Sequence, residues 1–140
     1  MRLTCAAIVV LLGSVTALAQ EPAYRVIVHP ANPTTSLSRD QLADMFLKKV
    51  TRWPDGEKIR PVDQRTSSPV RKELTERVLR KSLAAVRSYW QQLIFSGRSI
   101  PPPELDSEAA VIAFVARHRG AIGYVSGQAK LDGVKTVPIK

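Results

Sequence analysis

Apolar residues recur along this chain with two different periods, and the points where the period changes mark its elements. Tyr24 to His29, YRVIVH, is a β-rich run closed by Pro30, so a strand is predicted there. Asn32-Pro33-Thr34-Thr35 is loop chemistry. Ser38 with Gln41 three residues on has the capping-box pattern, and Leu42, Met45 and Phe46 then share one face, which predicts a helix over 38–48. Trp53-Pro54-Asp55-Gly56 reads as a turn into a strand over Ile59–Val62.

A second helix is expected from about Ser68 to about Lys81, with Val70, Leu74 and Val78 on a common stripe. Ser82 caps a third, in which Val86, Tyr89, Trp90, Leu93 and Ile94 follow the i, i+3, i+4, i+7, i+8 spacing of a buried face. Tyr89 and Trp90 are therefore expected in the core, packed against a sheet and not lining a pocket. Gly97 and Pro101-Pro102-Pro103 stop the helix and make a stiff connection. A fourth helix starts at Ser107, carries Val111, Ile112, Phe114 and Val115, and closes on Arg117-His118-Arg119 before Gly120. Strands Ala121–Val125 and Val134–Ile139 follow, around a loop from Gly127 to Gly133. The order β-α-β-α-α-α-β-β predicts an α/β domain, a small mixed sheet covered by about four helices.

The first residues do not fit this pattern. Arg2, the apolar run from Ala6 to Leu12 and Ala17-Leu18-Ala19 form the charged, apolar and small-residue regions of a cleavable secretory leader over 1–19. The run is short of the roughly 20 residues that span a bilayer. This leaves residues 20–140 as one periplasmic domain, large enough for one core and too small for two. Its single cysteine, Cys5, leaves with the leader, so neither a disulfide nor thiol chemistry is expected. Loss of Arg2 lowers the net charge from +9 to +8. A basic exported domain is suited to anionic partners, but no basic run is long enough to point to nucleic acid.

The richest chemistry lies in Ile59 to Leu74, IRPVDQRTSSPVRKEL, where a strand passes through hydroxyl residues into a helix that Pro69 is well placed to start. The first N–H groups of a helix lack internal partners and sit at the positive end of its dipole, so such a junction suits an anion. Enzymatic patterns are missing. His29 and His118 lack the spacing of a metal pair, Asp63 reads as an ion-pair partner of a neighbour such as Arg65, and no nucleophile elbow, P-loop or dinucleotide fingerprint occurs. Neither catalysis nor a cofactor is expected.

Several phrases recur in order: Ala31-Asn32-Pro33, Leu37-Ser38 through Gln41-Leu42, Met45-Phe46-Leu47 with Lys49, Thr51-Arg52-Trp53, Pro61-Val62 through Ser68 and Arg71, and Gly120-Ala121-Ile122-Gly123-Tyr124-Val125. Together they resemble the second lobe of periplasmic phosphate-binding proteins of ABC-type transporters. In that family the junction reads Arg-Ser-Asp-Gly-Ser-Gly-Thr, and its arginine, serine, second glycine and threonine hold the phosphate oxygens. Aligned without gaps these fall on Gln64, Ser68, Pro69 and Val70, so only the serine is kept. The resemblance implies phosphate or a similar small anion as ligand, bound weakly and without a first lobe to close over it. The candidate contacts are the hydroxyls of Ser67 and Ser68, the backbone N–H groups of Val70 and Arg71, and the charges of Arg65 and Arg71. A membrane transporter or another periplasmic protein is the implied partner. The alternative is an interaction module that kept the fold, lost the ligand, and docks a partner or itself.

Overall fold

The computed structural model describes residues 23–140, so the leader expected over 1–19 lies outside the described residues. The elements are β1 (Tyr24–Val28), α1 (Arg39–Phe46), β2 (Arg60–Pro61), β3 (Asp63–Gln64), α2 (Pro69–Leu74) continued by a π-helical turn over Thr75–Leu79, α3 (Leu83–Phe95), β4 (Glu104–Leu105), α4 (Glu108–Arg117), β5 (Ala121–Ser126) and β6 (Lys135–Val137). The main sheet runs β2-β5-β1-β6, with β1 antiparallel to both neighbours and β2 parallel to β5. β2 is an edge strand, the position in a sheet that tolerates Pro61.

Alternation along β1 and β5 sends successive side chains to opposite faces. Val26, Val28, Ile122 and Tyr124 meet Leu42, Met45, Phe46, Leu74 and Val78 on one face, and Ile27, Ala121 and Val125 meet Val62, Val111 and Val115 on the other. The result is the expected α/β architecture, a small mixed sheet between helices. Locally coded ends form as read: Ser38 Oγ accepts from Gln41 N–H at 3.0 Å while Ser38 N–H donates back to Gln41 Oε1 at 2.8 Å.

The Gly120–Val125 phrase has a steric cause. A Cβ at Gly120 would lie 1.9 Å from the Lys58 carbonyl oxygen, and one at Gly123 would lie 2.7 Å from Val111 Cγ1, so both glycines let neighbouring segments approach closely. The Gly120 carbonyl also accepts from Trp53 Nε1 at 3.0 Å and from Arg60 N–H at 2.9 Å. The Thr51-Arg52-Trp53 and Gly120 phrases thus meet in space.

Three expectations need correction. The strand expected over Ile59–Val62 is split: Val62 N–H still bonds Ile122 O at 3.0 Å, but Asp63 N–H turns away to Pro103 O at 2.9 Å. β3 then pairs with β4, a strand that the proline run had concealed because a proline lacks the N–H but keeps its acceptor. The second helix is not uniformly α-helical. It widens into the π-helical turn and stops at Arg80, which is left-handed at φ 53°. The stripe of α3, finally, is only half used. Val86 and Trp90 are buried, but neither belongs to the two apolar clusters on the sheet, Leu93 is half-buried, and Ile94 is exposed. Tyr89 is half-buried, with its hydroxyl donating to Leu47 O at 2.7 Å. Periodicity specifies a face, not whether the domain supplies enough surface to cover it.

Candidate functional site

The site is built where the chain leaves the main sheet. Parallel pairing of β3 with β4 sets Asp63 opposite Glu104 and Gln64 opposite Leu105. After a turn closed by Ser68 N–H to Arg65 O at 2.9 Å, Ser68 becomes the N-cap of α2 and Pro69 its first residue. Arg71, one turn in, points back to the strand pair. Its Nη1 donates to Glu104 Oε1 at 2.6 Å and to Gln64 O at 2.7 Å, and its Nε lies 3.6 Å from Asp63 Oδ1.

The remaining polar atoms satisfy one another. Ser68 Oγ donates to Gln64 Oε1 at 2.6 Å and accepts from Arg71 N–H at 3.3 Å. Gln64 Nε2 donates to Tyr124 O at 2.8 Å, Gln64 N–H donates to Tyr124 Oη at 3.2 Å, and the Tyr124 hydroxyl donates to Asp63. Tyr124 is fully buried on β5 and meets Phe46 edge to face.

Burial raises the Asp63 carboxyl above its ordinary value, against the pull of Arg71 and the Tyr124 hydroxyl. Burial, and then the Asp63 charge, push the Tyr124 hydroxyl far up, so it stays protonated and donates. For Arg71, burial opposes the charge, but Asp63 and Glu104 outweigh it and hold the guanidinium above its ordinary value. The buried cation is thus balanced by two carboxylates of the same chain. Among the described residues no group of three or more His, Cys, Asp or Glu is placed to hold a metal ion.

Residues 23–136 match the PBP superfamily domain. The chain belongs to that superfamily. Solved structures agree on the fold. An ABC-type phosphate transport receptor from Vibrio cholerae is similar with a TM-score of 0.66 at 21% identity, over 84% of this chain and 46% of the receptor. A phosphate ABC transporter substrate-binding protein with bound phosphate, from Clostridium perfringens, gives 0.65 at 23% identity over 84% and 46%. PstS from Borrelia burgdorferi gives 0.62 at 14% identity over 84% and 47%. This chain therefore spans less than half the length of these binding proteins. No curated protein matches it.

Within this PBP-type lobe the five candidate residues fall into two groups. Ser68 and Arg71 come together in the buried network. Arg65 and Ser67 lie outside on the exposed turn, where Arg65 pairs with Asp106 at 2.7 Å. Val70 packs its side chain on the core at the start of α2. Asp63 does sit in an ion pair, with Arg71 eight residues on, while Arg65, two residues on, pairs with Asp106. Gln64 accepts from the Ser68 hydroxyl and donates to the Tyr124 carbonyl.

Two members of the network escaped the sequence reading. Glu104 follows three prolines and has no local signal, because only the β3–β4 register brings it to Arg71. Tyr124 stands in the Gly120–Val125 phrase, yet nothing in that phrase tells which face of β5 its hydroxyl serves. Beside the network lies a groove of about 210 Å³ with a Val86, Trp90 and Ile94 wall and with Arg71 and Glu104 at its polar end.

Proposed function

We propose that this chain is an exported lobe of the binding-protein fold in which the phosphate site is closed by the protein's own carboxylates, and that it works as a docking module, without catalysis. The observation that carries this reading is the position of Glu104, 2.6 Å from Arg71. A phosphate approaching the junction meets a guanidinium already neutralised by Glu104 and Asp63, and must compete with both. Arg65 is exposed and paired, and charge contacts at an open surface are weak and screened by salt. The groove beside Trp90 supports a docking role, because an apolar wall with a charged end suits a partner's apolar side chain flanked by a polar group. Export rests on the leader pattern of residues 1–19. The partner class is an envelope protein such as a membrane transporter component.

A weak anion contact is the second reading. It is favoured by the Val70 N–H, which has no hydrogen-bond partner among the described residues, and by the exposed hydroxyls of Thr66 and Ser67.

Site-directed photo-crosslinking in intact cells tests the docking reading. A probe at Arg87, on the exposed rim of the groove, is expected to capture one discrete partner, whereas a probe at Lys130 is not. Equal labelling from both positions, or from neither, contradicts it.

A further inference from the structure

We propose that the C-terminal tip of α3 binds an anionic lipid surface. This goes beyond the docking reading and does not need the closed anion site, and its residues Ile94 and Arg87 also border the groove.

Phe95 is 89% exposed, Ile100 67% and Ile94 49%, so three large apolar side chains stand in water within one short stretch. Two of them share a surface, and Phe95 flanks it on the side of Gln91 and Gln92. α3 ends at Phe95, Gly97 reverses the chain at φ 67°, and Ile100 returns beside Ile94 on one shallow surface. An open, shallow apolar surface of this kind has little to offer a small ligand, which needs enclosure.

The charge around it has one sign. Residues 83–103, from the start of α3 past Ile100, contain two arginines, Arg87 and Arg98, and no Asp or Glu. Arg98 lies between Phe95 and Ile100 in the turn, and Arg87 precedes Ile94 by two helical turns on the same side. Neither arginine has a carboxylate within ion-pairing distance among the described residues. Apolar side chains that enter the acyl boundary, with guanidinium groups level with anionic headgroups, make an interfacial anchor. A second copy of the chain fits less well, because pairing this face with itself opposes like charges.

Co-sedimentation with vesicles tests the proposal. The protein is expected to partition onto phosphatidylcholine vesicles containing about a third phosphatidylglycerol, to ignore pure phosphatidylcholine, and to be released by high salt. Phe95→Ser with Ile100→Ser should lower the partition coefficient at least about tenfold. Arg87→Gln and Arg98→Gln should each lower it about fivefold. All four sites are exposed, so unchanged thermal melting of the variants confirms that folding is intact, and Val50→Ser, at an apolar site elsewhere on the surface, should leave partition unchanged. Failure of the wild type to bind the anionic vesicles, or binding unaffected by the Phe95/Ile100 pair, overturns the proposal. So does a concentration-dependent dimer that the same pair abolishes while vesicle binding stays nil.

Discussion

Arg71 Nη1 and Glu104 Oε1 lie 2.6 Å apart although their positions are 33 residues distant in the chain. The contact closes β4 onto the start of α2 and gives a buried cation an internal counterion. Removing Arg71 leaves Asp63 buried without its cation, so Arg71→Ala should destabilise the domain by about 3 kcal/mol. Arg71→Lys should recover only part of this, because an ammonium does not reproduce the guanidinium fork shared by Glu104 and the Gln64 carbonyl. Denaturant unfolding of the two variants checks both values, and an Arg71→Ala midpoint equal to wild type would show that the network carries no stability.

Asp63 predicts a pH dependence. Its folded-state pKa is raised, chiefly by burial. The folded state therefore binds the proton more tightly than the unfolded chain, whose aspartate titrates near about 3.9. The contribution of this group is fully present below that value and is lost as pH rises through the folded pKa. Asp63→Asn should remove this component, so the stability difference between wild type and variant should shift in favour of the variant as pH rises from about 4. A shift in the other direction would mean that Arg71 and Tyr124 outweigh burial.

Trp90 is 6% exposed but borders the groove instead of the main sheet. Trp90→Ala should cost about 3 kcal/mol, the lower end for a large aromatic, because the site already opens to water on one side. Ile94→Ala, at a half-exposed position, should cost much less. Comparable losses at the two positions would mean that α3 is covered more evenly than its exposures indicate.

What was legible in the sequence was local. Ser38 and Gln41 announce their capping box within three residues, and the β-rich run from Tyr24 to His29 is closed locally by Pro30. Gly120 and Gly123 stand where neighbouring segments leave no room for a Cβ. The site was legible only in part. Ser68 was visible as a cap, but whether its hydroxyl faces a ligand or Gln64 depends on where β3 leaves the main sheet. Arg71 read as a free charge because its counterions come from strands that pair across the Pro101–Pro103 connection, and hydrophobic periodicity says nothing about such a register.

The junction can be tested by rebuilding it. Pro69→Gly with Val70→Thr returns a backbone donor and a hydroxyl, two groups the family places on phosphate. With Arg71 still neutralised, the gain in phosphate affinity should stay within about tenfold, one or two hydrogen bonds' worth. Adding Glu104→Gln, which removes one carboxylate from Arg71, should tighten binding further. No additional gain from Glu104→Gln would show that this carboxylate is not what closes the site.

The most direct test of the closed site is calorimetric titration of the unmodified protein, residues 20–140, with phosphate and with sulfate at low ionic strength. A site occupied by its own carboxylates predicts no heat beyond dilution, or at most a dissociation constant on the order of 1 mM that disappears as salt is added. Saturable binding with a dissociation constant on the order of 1 μM, retained at physiological ionic strength, would contradict the account and restore the chain to the ligand-trapping members of its superfamily.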